Sequence, residues 1–361
     1  MHHTRGRVVD ITTLADFDRR LAGGARSLAG WRVTGLDLAD RGPALASVAV
    51  TQSLFQGCTF RPADEESVRR RGALVLARVP EVPLDTFRST LYAPRDLYDT
   101  RVYADSLDAR AYAWSRRAPD QDDTLAQALH DHSIDQALSS WTRGRSIVGV
   151  MGGHALHRGS TGYADAAGLG RSLCAARLTV ATGGGPGAME AANLGAFLSG
   201  SPASVLDSAL VSLAAVPSFT PDIGAWAAAA FEVIDAHSPG VDSLGIPTWH
   251  YGHEPPNPFA TAIAKYVRNA TREAILLEVC DAGIVFLPGA GGTVQEIFQD
   301  GCENYYADES SVAPMVLVGV EHWTKTVPAW PLLRSLAQGR AMEPHVHLVD
   351  TVEEAVELLA R

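Results

Sequence analysis

The stretch DAGIVFLPGAGGTVQEIFQD, Asp281 to Asp300, runs from an apolar segment through a glycine-rich turn into a helical pattern. DAGIVFLPGAGG (Asp281–Gly292) reads as a strand running into a glycine loop, because a short apolar run bounded by turn residues suits a buried strand. Pro288 to Gly292 make a tight turn, and Thr293 to Asn304 read as a helix. Strand, glycine turn and helix in that order form half of a βαβ unit.

The same alternation spreads outward from Arg145. SIVGVMGG (Ser146–Gly153) reads as a strand ending in glycines, and Ala164 to Ala176 as a helix. RLTVATGGG (Arg177–Gly185) is a strand into another glycine turn, followed by a helix from Gly187 to Leu198. SALVSLAAV (Ser208–Val216) is expected as a third strand, Pro258 to Cys280 as mostly helix, PMVLVGV (Pro314–Val320) as a strand and Thr351 to Arg361 as a closing helix. The pattern predicts an α/β protein with a Rossmann-like, doubly wound parallel sheet whose ligands bind at the carboxyl ends of the strands.

Upstream, Trp31 to Phe60 carries short apolar pulses punctuated by Gly35, Gly42 and Gly57, and Gly72 to Val79 adds another. These predict a smaller, β-rich accessory domain over 1–118. The GLDL pulse hints at a small β-solenoid coil. A polar linker helix over 119–144 then leads into a Rossmann-like domain over 145–361.

Composition narrows the function. The 361 residues include 30 Lys and Arg against 41 Asp and Glu, a formal charge of −11, which disfavours nucleic-acid and anionic-membrane partners. Hydrophobic residues make up 46% and charged residues 20%, as in globular proteins and unlike disordered ones. The Ala-rich run from Ala225 to Ala236 is too short for a membrane span and carries Glu232 and Asp235, so it reads as a buried helix. Met1 to Arg7 show no secretory pattern. The four cysteines, Cys58, Cys174, Cys280 and Cys302, stand far apart, as expected for reduced thiols in the cytoplasm.

Both glycine turns sit where unpaired helix N–H groups and the positive end of the helix dipole can hold an anion. The first, TGGGPGAMEAAN (Thr182–Asn193), fits GxGxxA at Gly183, Gly185 and Ala188, a weak dinucleotide signal on its own. It follows the second strand of the domain, and Asp207 precedes the next expected strand, so NAD is disfavoured. A structural turn and a mononucleotide or sugar-phosphate site both remain open there. At the second turn, Thr293 is placed as an N-cap hydroxyl, with Glu296 at capping-box spacing. The alternative is a carboxylate held beside a phosphate cradle.

Together, GGGPGAMEAAN and PGAGGTVQE resemble the LOG ("lonely guy") family, nucleotide 5′-monophosphate phosphoribohydrolases formerly labelled lysine decarboxylases, and are closer to its larger bacterial members. The likeness covers roughly 145–361. Arg272 lies nine residues before Asp281, and Thr293 and Glu296 fall on the family's PGGxGTxxE signature. The chain departs from the pattern in PGAGGT for PGGxGT, in Gln295 for the first of two common glutamates, and in Glu273 for the Lys that often follows the Arg. The resemblance implies hydrolysis of the N-glycosidic bond of a nucleoside 5′-monophosphate, without metal or cofactor, in a homodimer or higher homo-oligomer.

In that reading Glu296 stabilises positive charge on the ribose or activates water, and Arg272 positions the nucleotide or stabilises developing charge. Gly289, Gly291, Gly292 and Thr293 hold the phosphate. Gly184, Gly185, Gly187, Met189 and Glu190 form the facing wall, with Gly153 and His154 at the end of the first strand. The alternative function is a non-catalytic nucleotide-binding or carrier protein. Within PTWHYGHEPPNPF (Pro247–Phe259), His250, His253 and Glu254 offer only a weak metal pattern without a third ligand. A loop covering the base with Trp249 or Tyr251, or an ordinary packed loop, are the other readings.

Overall fold

A computed structural model describes residues 8–251 and 254–360. Two compact units emerge, one of residues 1–90 with 118–137, the other of residues 91–117 with 138–361. Residues 91–117, assigned above to the accessory region, group with the second unit; Tyr92, for example, exchanges backbone hydrogen bonds with Ile263.

The first unit holds β1 (Val9–Ile11), α1 (Leu14–Ala22), β2 (Trp31–Thr34), α2 (Gly42–Ala46), β3 (Leu54–Gln56), α3 (Pro62–Arg70) and β4 (Leu74–Leu76). Its four strands pair in chain order, all parallel. The isolated bridges Ser27–Ala49 and Asp37–Thr59 keep the offset of the Arg32–Leu54 pair, so these segments stay in one register. Helices separate the strands, making this small sheet an α/β layer in its own right. Phe17 of α1, Leu45 of α2 and Val68 of α3 bury against Val33, Phe55 and Val75.

Next come α4 (Pro94–Leu97), α5 (Leu107–Ser115) and α6 (Gln121–Thr142). The main sheet and its helices follow: β5 (Ile147–Met151), α7 (Thr161–Ala175), β6 (Thr179–Thr182), α8 (Ala188–Phe197), α9 (Ala203–Leu213), α10 (Ile223–His237), β7 (Leu244–Gly245), β8 (Ala262–Ile263), α11 (Asn269–Glu278), β9 (Ile284–Phe286), α12 (Gly291–Tyr306), β10 (Met315–Val318), α13 (Trp330–Ala337), β11 (Val346–Val349) and α14 (Val352–Leu359). Seven parallel strands lie in the order β11-β10-β9-β5-β6-β7-β8. This is the expected Rossmann-like parallel α/β architecture. Every residue of β5, β9 and β10 is buried, which is why these strands read as unbroken apolar runs.

Two expectations are corrected. Ser208–Val216 is not a strand; it falls largely in α9, whose Leu206, Ala209 and Leu213 bury at helical spacing. An apolar run of that length is ambiguous by periodicity, and its Ala and Leu content favours helix. Pro258–Cys280 is helical only over α11. Before it, a buried extended segment forms β8.

α8 is buried along its whole length, and α7 lies close against it at two glycines. A Cβ at Gly170 would collide with the Ala192 carbonyl, and one at Gly195 with that of Ala167. Among the described residues no helix is long and apolar enough to cross a membrane.

Candidate functional site

The chain steps from β5 to β6 on one side and, after β8, returns to β9 on the other side of β5. The loops leaving β5 and β9 therefore diverge, opening a crevice at the carboxyl ends of the strands. A cavity of about 360 Å³ lies there. Gly152, Gly153 and His154 line it after β5, Thr248, Tyr251 and Glu254 after β7, and Gly291 to Thr293 with Glu296 after β9.

α12 begins earlier than Thr293. Ala290 is its N-cap residue, with no side-chain cap, so Gly291, Gly292 and Thr293 occupy the first turn. The expected N-cap hydroxyl is thus corrected: Thr293 is buried, and its side chain fills the space where a Cβ on Gly289 would sit. First-turn amides have no carbonyl four residues back in helical register. Among the described residues no acceptor meets the N–H of Gly291, Gly292 or Thr293. A Cβ on Gly291 or Gly292 would enter open space, so packing does not demand glycine there. Gly291, Gly292 and Thr293 all line the cavity, an arrangement whose chemistry suits an anion. His322, which begins a π-helical turn after β10, supports it with Nε2 at 3.0 Å from the Gly289 carbonyl. Its long sequence separation from that loop hid this role.

At the first glycine turn the carbonyls of Gly183, Gly184 and Gly185 are engaged internally: Arg272 Nη2 donates to Gly183 at 3.1 Å, the Asn257 amide to Gly184 at 2.8 Å, and Asn257 Nδ2 to Gly185 at 3.1 Å, while the Gly184 amide donates to Thr182 Oγ1 at 3.0 Å. The Ala188 amide, first in α8, donates to the Gly153 carbonyl at 3.2 Å. Gly187 has φ +75°, and a side chain there would strike Gly153. Gly183, Gly185 and Met189 line the cavity, whereas Gly184 and Gly187 serve the turn. Glu190 does not reach the cavity. Its buried carboxylate accepts from Arg158 Nε at 2.9 Å and from Nη2, and the Arg158 Nη1 donates to the Trp226 carbonyl. Nothing in the local pattern around Arg158 announces that partnership.

Arg272 is also tied down. Its Nε donates to the Ile246 carbonyl at 2.6 Å, and its Nη1 pairs with Glu273 at 2.8 Å. Glu296 keeps a partly exposed edge on the cavity. Burial pushes its carboxyl up to about 7; Arg272 pulls it down, while Glu273 and Glu254 push it further up. Glu254 also approaches His154, Oε1 to Nδ1 at 3.3 Å, across the mouth of the cavity. The site thus combines free amides that suit an anion with a carboxyl poised between its two protonation states near neutrality.

Of the covering-loop candidates, Tyr251 lines the cavity. Trp249 does not: it is buried and donates its indole N–H to Asp108. His253 lies outside the described residues. Among those described, no group of three His, Cys, Asp or Glu side chains is arranged for a metal.

No family model matches the chain, and no curated protein does. Among solved structures, the chain is similar to the molybdenum cofactor binding protein from the phototrophic bacterium Rippkaea orientalis, at 17% identity and TM-score 0.38, over 60% of this chain and 96% of that one. It is also similar to the molybdenum cofactor carrier protein from Chlamydomonas reinhardtii, at 18% identity and TM-score 0.37, over 60% of this chain and 99% of that one.

Proposed function

We propose that the cavity binds a small phosphorylated molecule of the nucleoside 5′-monophosphate kind, and that the protein acts as its binding or carrier protein. The observation that carries this reading is the first turn of α12, where three unpaired amides and two open glycines face the cavity at the switch point of the sheet. Binding without turnover is favoured by the state of Arg272. It is the only guanidinium or ammonium among the described lining residues, and Glu273 and two carbonyls take three of its five N–H groups.

One observation favours a second reading, hydrolysis of the N-glycosidic bond to free base and ribose 5-phosphate. Glu296 lies one turn into α12 from the cradle, close enough in the chain to face the sugar of a ligand whose phosphate sits there. Its carboxylate form would stabilise an oxocarbenium-like ribose or take a proton from the attacking water. The resemblance of PGAGGTVQE to the LOG family signature supports the same assignment. Arg272 stays charged and so orients rather than protonates the departing base.

Calorimetric titration with a panel of nucleoside 5′-monophosphates, followed by chromatography for released base, separates the readings. Binding without release, unchanged by Glu296→Gln beyond a modest affinity shift, supports the carrier. Base release that Glu296→Gln abolishes supports the hydrolase. Absence of binding to every monophosphate refutes both.

A further inference from the structure

Asp108 of α5 is 2% exposed and accepts three hydrogen bonds. Lys265 Nζ lies 2.6 Å and Trp249 Nε1 2.9 Å from its Oδ1, while the Tyr103 hydroxyl donates to Oδ2 at 2.8 Å. Lys265 is 1% exposed, with its ammonium 5.1 Å from the Trp249 ring centroid. Further anchors join the same segments. Tyr92 stands edge-on to Trp249 at 6.2 Å, and the Tyr98 hydroxyl donates to the Pro256 carbonyl at 2.7 Å.

These contacts converge on the wall of the cavity that follows β7. The Trp249 amide donates to the Tyr266 carbonyl, and the Tyr266 amide to that of Pro247, which extends the pairing of β7 and β8 beyond the strands. Thr248 and Tyr251, on either side of Trp249 in sequence, line the cavity. Fixing the indole therefore fixes the path of a wall that Asp108 itself never touches.

We infer that Asp108 is a positioning residue for the ligand site, anchoring Trp249 and Lys265 so that Thr248, Tyr251 and Glu254 are held against the ligand. A buried ion pair is a poor device for stability alone, since desolvation offsets much of its attraction and an apolar pair of the same volume packs as well. What the carboxylate adds is direction: one oxygen takes both the indole N–H and the ammonium, and the other takes the phenol. The inference rests on the cavity being a ligand site.

The test compares the wild-type chain with the double variant Asp108→Leu, Lys265→Met, which removes both charges and keeps apolar volume. Hydrogen exchange at the Trp249 and Tyr266 amides and affinities for a nucleoside 5′-monophosphate and for inorganic phosphate are measured in each. Expected are faster exchange at both amides and monophosphate affinity lower by roughly five- to tenfold, the loss of about one hydrogen bond's worth of contact. Inorganic phosphate, which needs only the α12 amides, binds as before. Unchanged exchange overturns the inference, as does an equal loss of affinity for both probes. If no monophosphate binds the wild type, the ligand reading fails, while faster exchange in the variant still supports the anchor. Should the double variant not fold, Asp108→Asn, which keeps shape but weakens the Lys265 contact, is read by the same exchange.

Discussion

Arg272 and Glu273, consecutive in α11, turn their side chains toward each other and pair at 2.8 Å on the rim of the cavity. The pair consumes the cation that a phosphorylated ligand would otherwise meet, and its carboxylate raises the titration of Glu296. Replacing Glu273 with Leu is therefore expected to lower the Glu296 titration from about 7 and to free one Arg272 N–H. Monophosphate binding should strengthen by about 1.5–3 kcal/mol, the worth of a hydrogen bond to a charged group. A carboxyl NMR titration and calorimetry check the two halves. A Glu296 titration that stays in place would show that Glu273 exerts no field there.

The glycines of the second turn divide into two kinds. At Gly289 a Cβ meets Thr293, so Gly289→Ala should lower the melting temperature and displace the start of α12. At Gly292 a Cβ meets nothing within the protein. Gly292→Ala should melt as the wild type does, since exposed changes away from such contacts stay within about 0.5 kcal/mol, yet bind inorganic phosphate more weakly because its methyl group enters the cradle. Thermal melts beside phosphate titrations decide it. Equal phosphate affinity in the two proteins would move the anion away from this turn.

Much of the sheet was legible because β5, β9 and β10 are covered on both faces and are written as apolar runs closed by glycine or proline. β7 and β8 were not, since strands of two residues leave no run to detect. Ser208–Val216 reads equally as a strand, because its nine small and apolar residues satisfy either period. At the site, Glu296, Arg272 and the glycines of the second turn stand together in local sequence and could be found there. The hold of Asn257 on the first turn could not, because Asn257 lies 72 residues beyond Gly185 in the chain. Asp108, Arg158 and His322 were missed for the same reason, their partners being distant in sequence.

Arg158 and Glu190 form a pair buried beside Trp226, whose ring lies 4.8 Å from the guanidinium carbon. Burial raises the Glu190 carboxyl and Arg158 opposes that rise. Arg158→Met leaves the carboxylate buried without its partner and should cost about 3–5 kcal/mol, whereas Arg158→Met with Glu190→Leu should recover most of that loss. Urea unfolding of the single and double variants checks it. A double variant as unstable as the single one would assign the cost to lost packing.

Asp300 stands one turn beyond Glu296 in α12, 5% exposed, with Oδ2 lacking a hydrogen-bond partner among the described residues. Burial, with a smaller push from Glu303, raises its carboxyl from the ordinary 3.8 to about 8. The unfolded chain releases this proton near pH 4, while the folded chain keeps it up to about pH 8. Between these values the folded state binds more protons, so stability falls as pH rises through the window, and the penalty is complete above it. Asp300→Asn should match the wild type near pH 4 and exceed it progressively toward pH 8, by on the order of a few kcal/mol. Glu296 carries the same sign over a narrower window ending near 7, so Glu296→Gln should show a smaller gain that levels off earlier. Melting curves at matched pH values test both. An Asp300→Asn advantage that does not grow with pH would place an ionised carboxylate in the interior and a cation beside it.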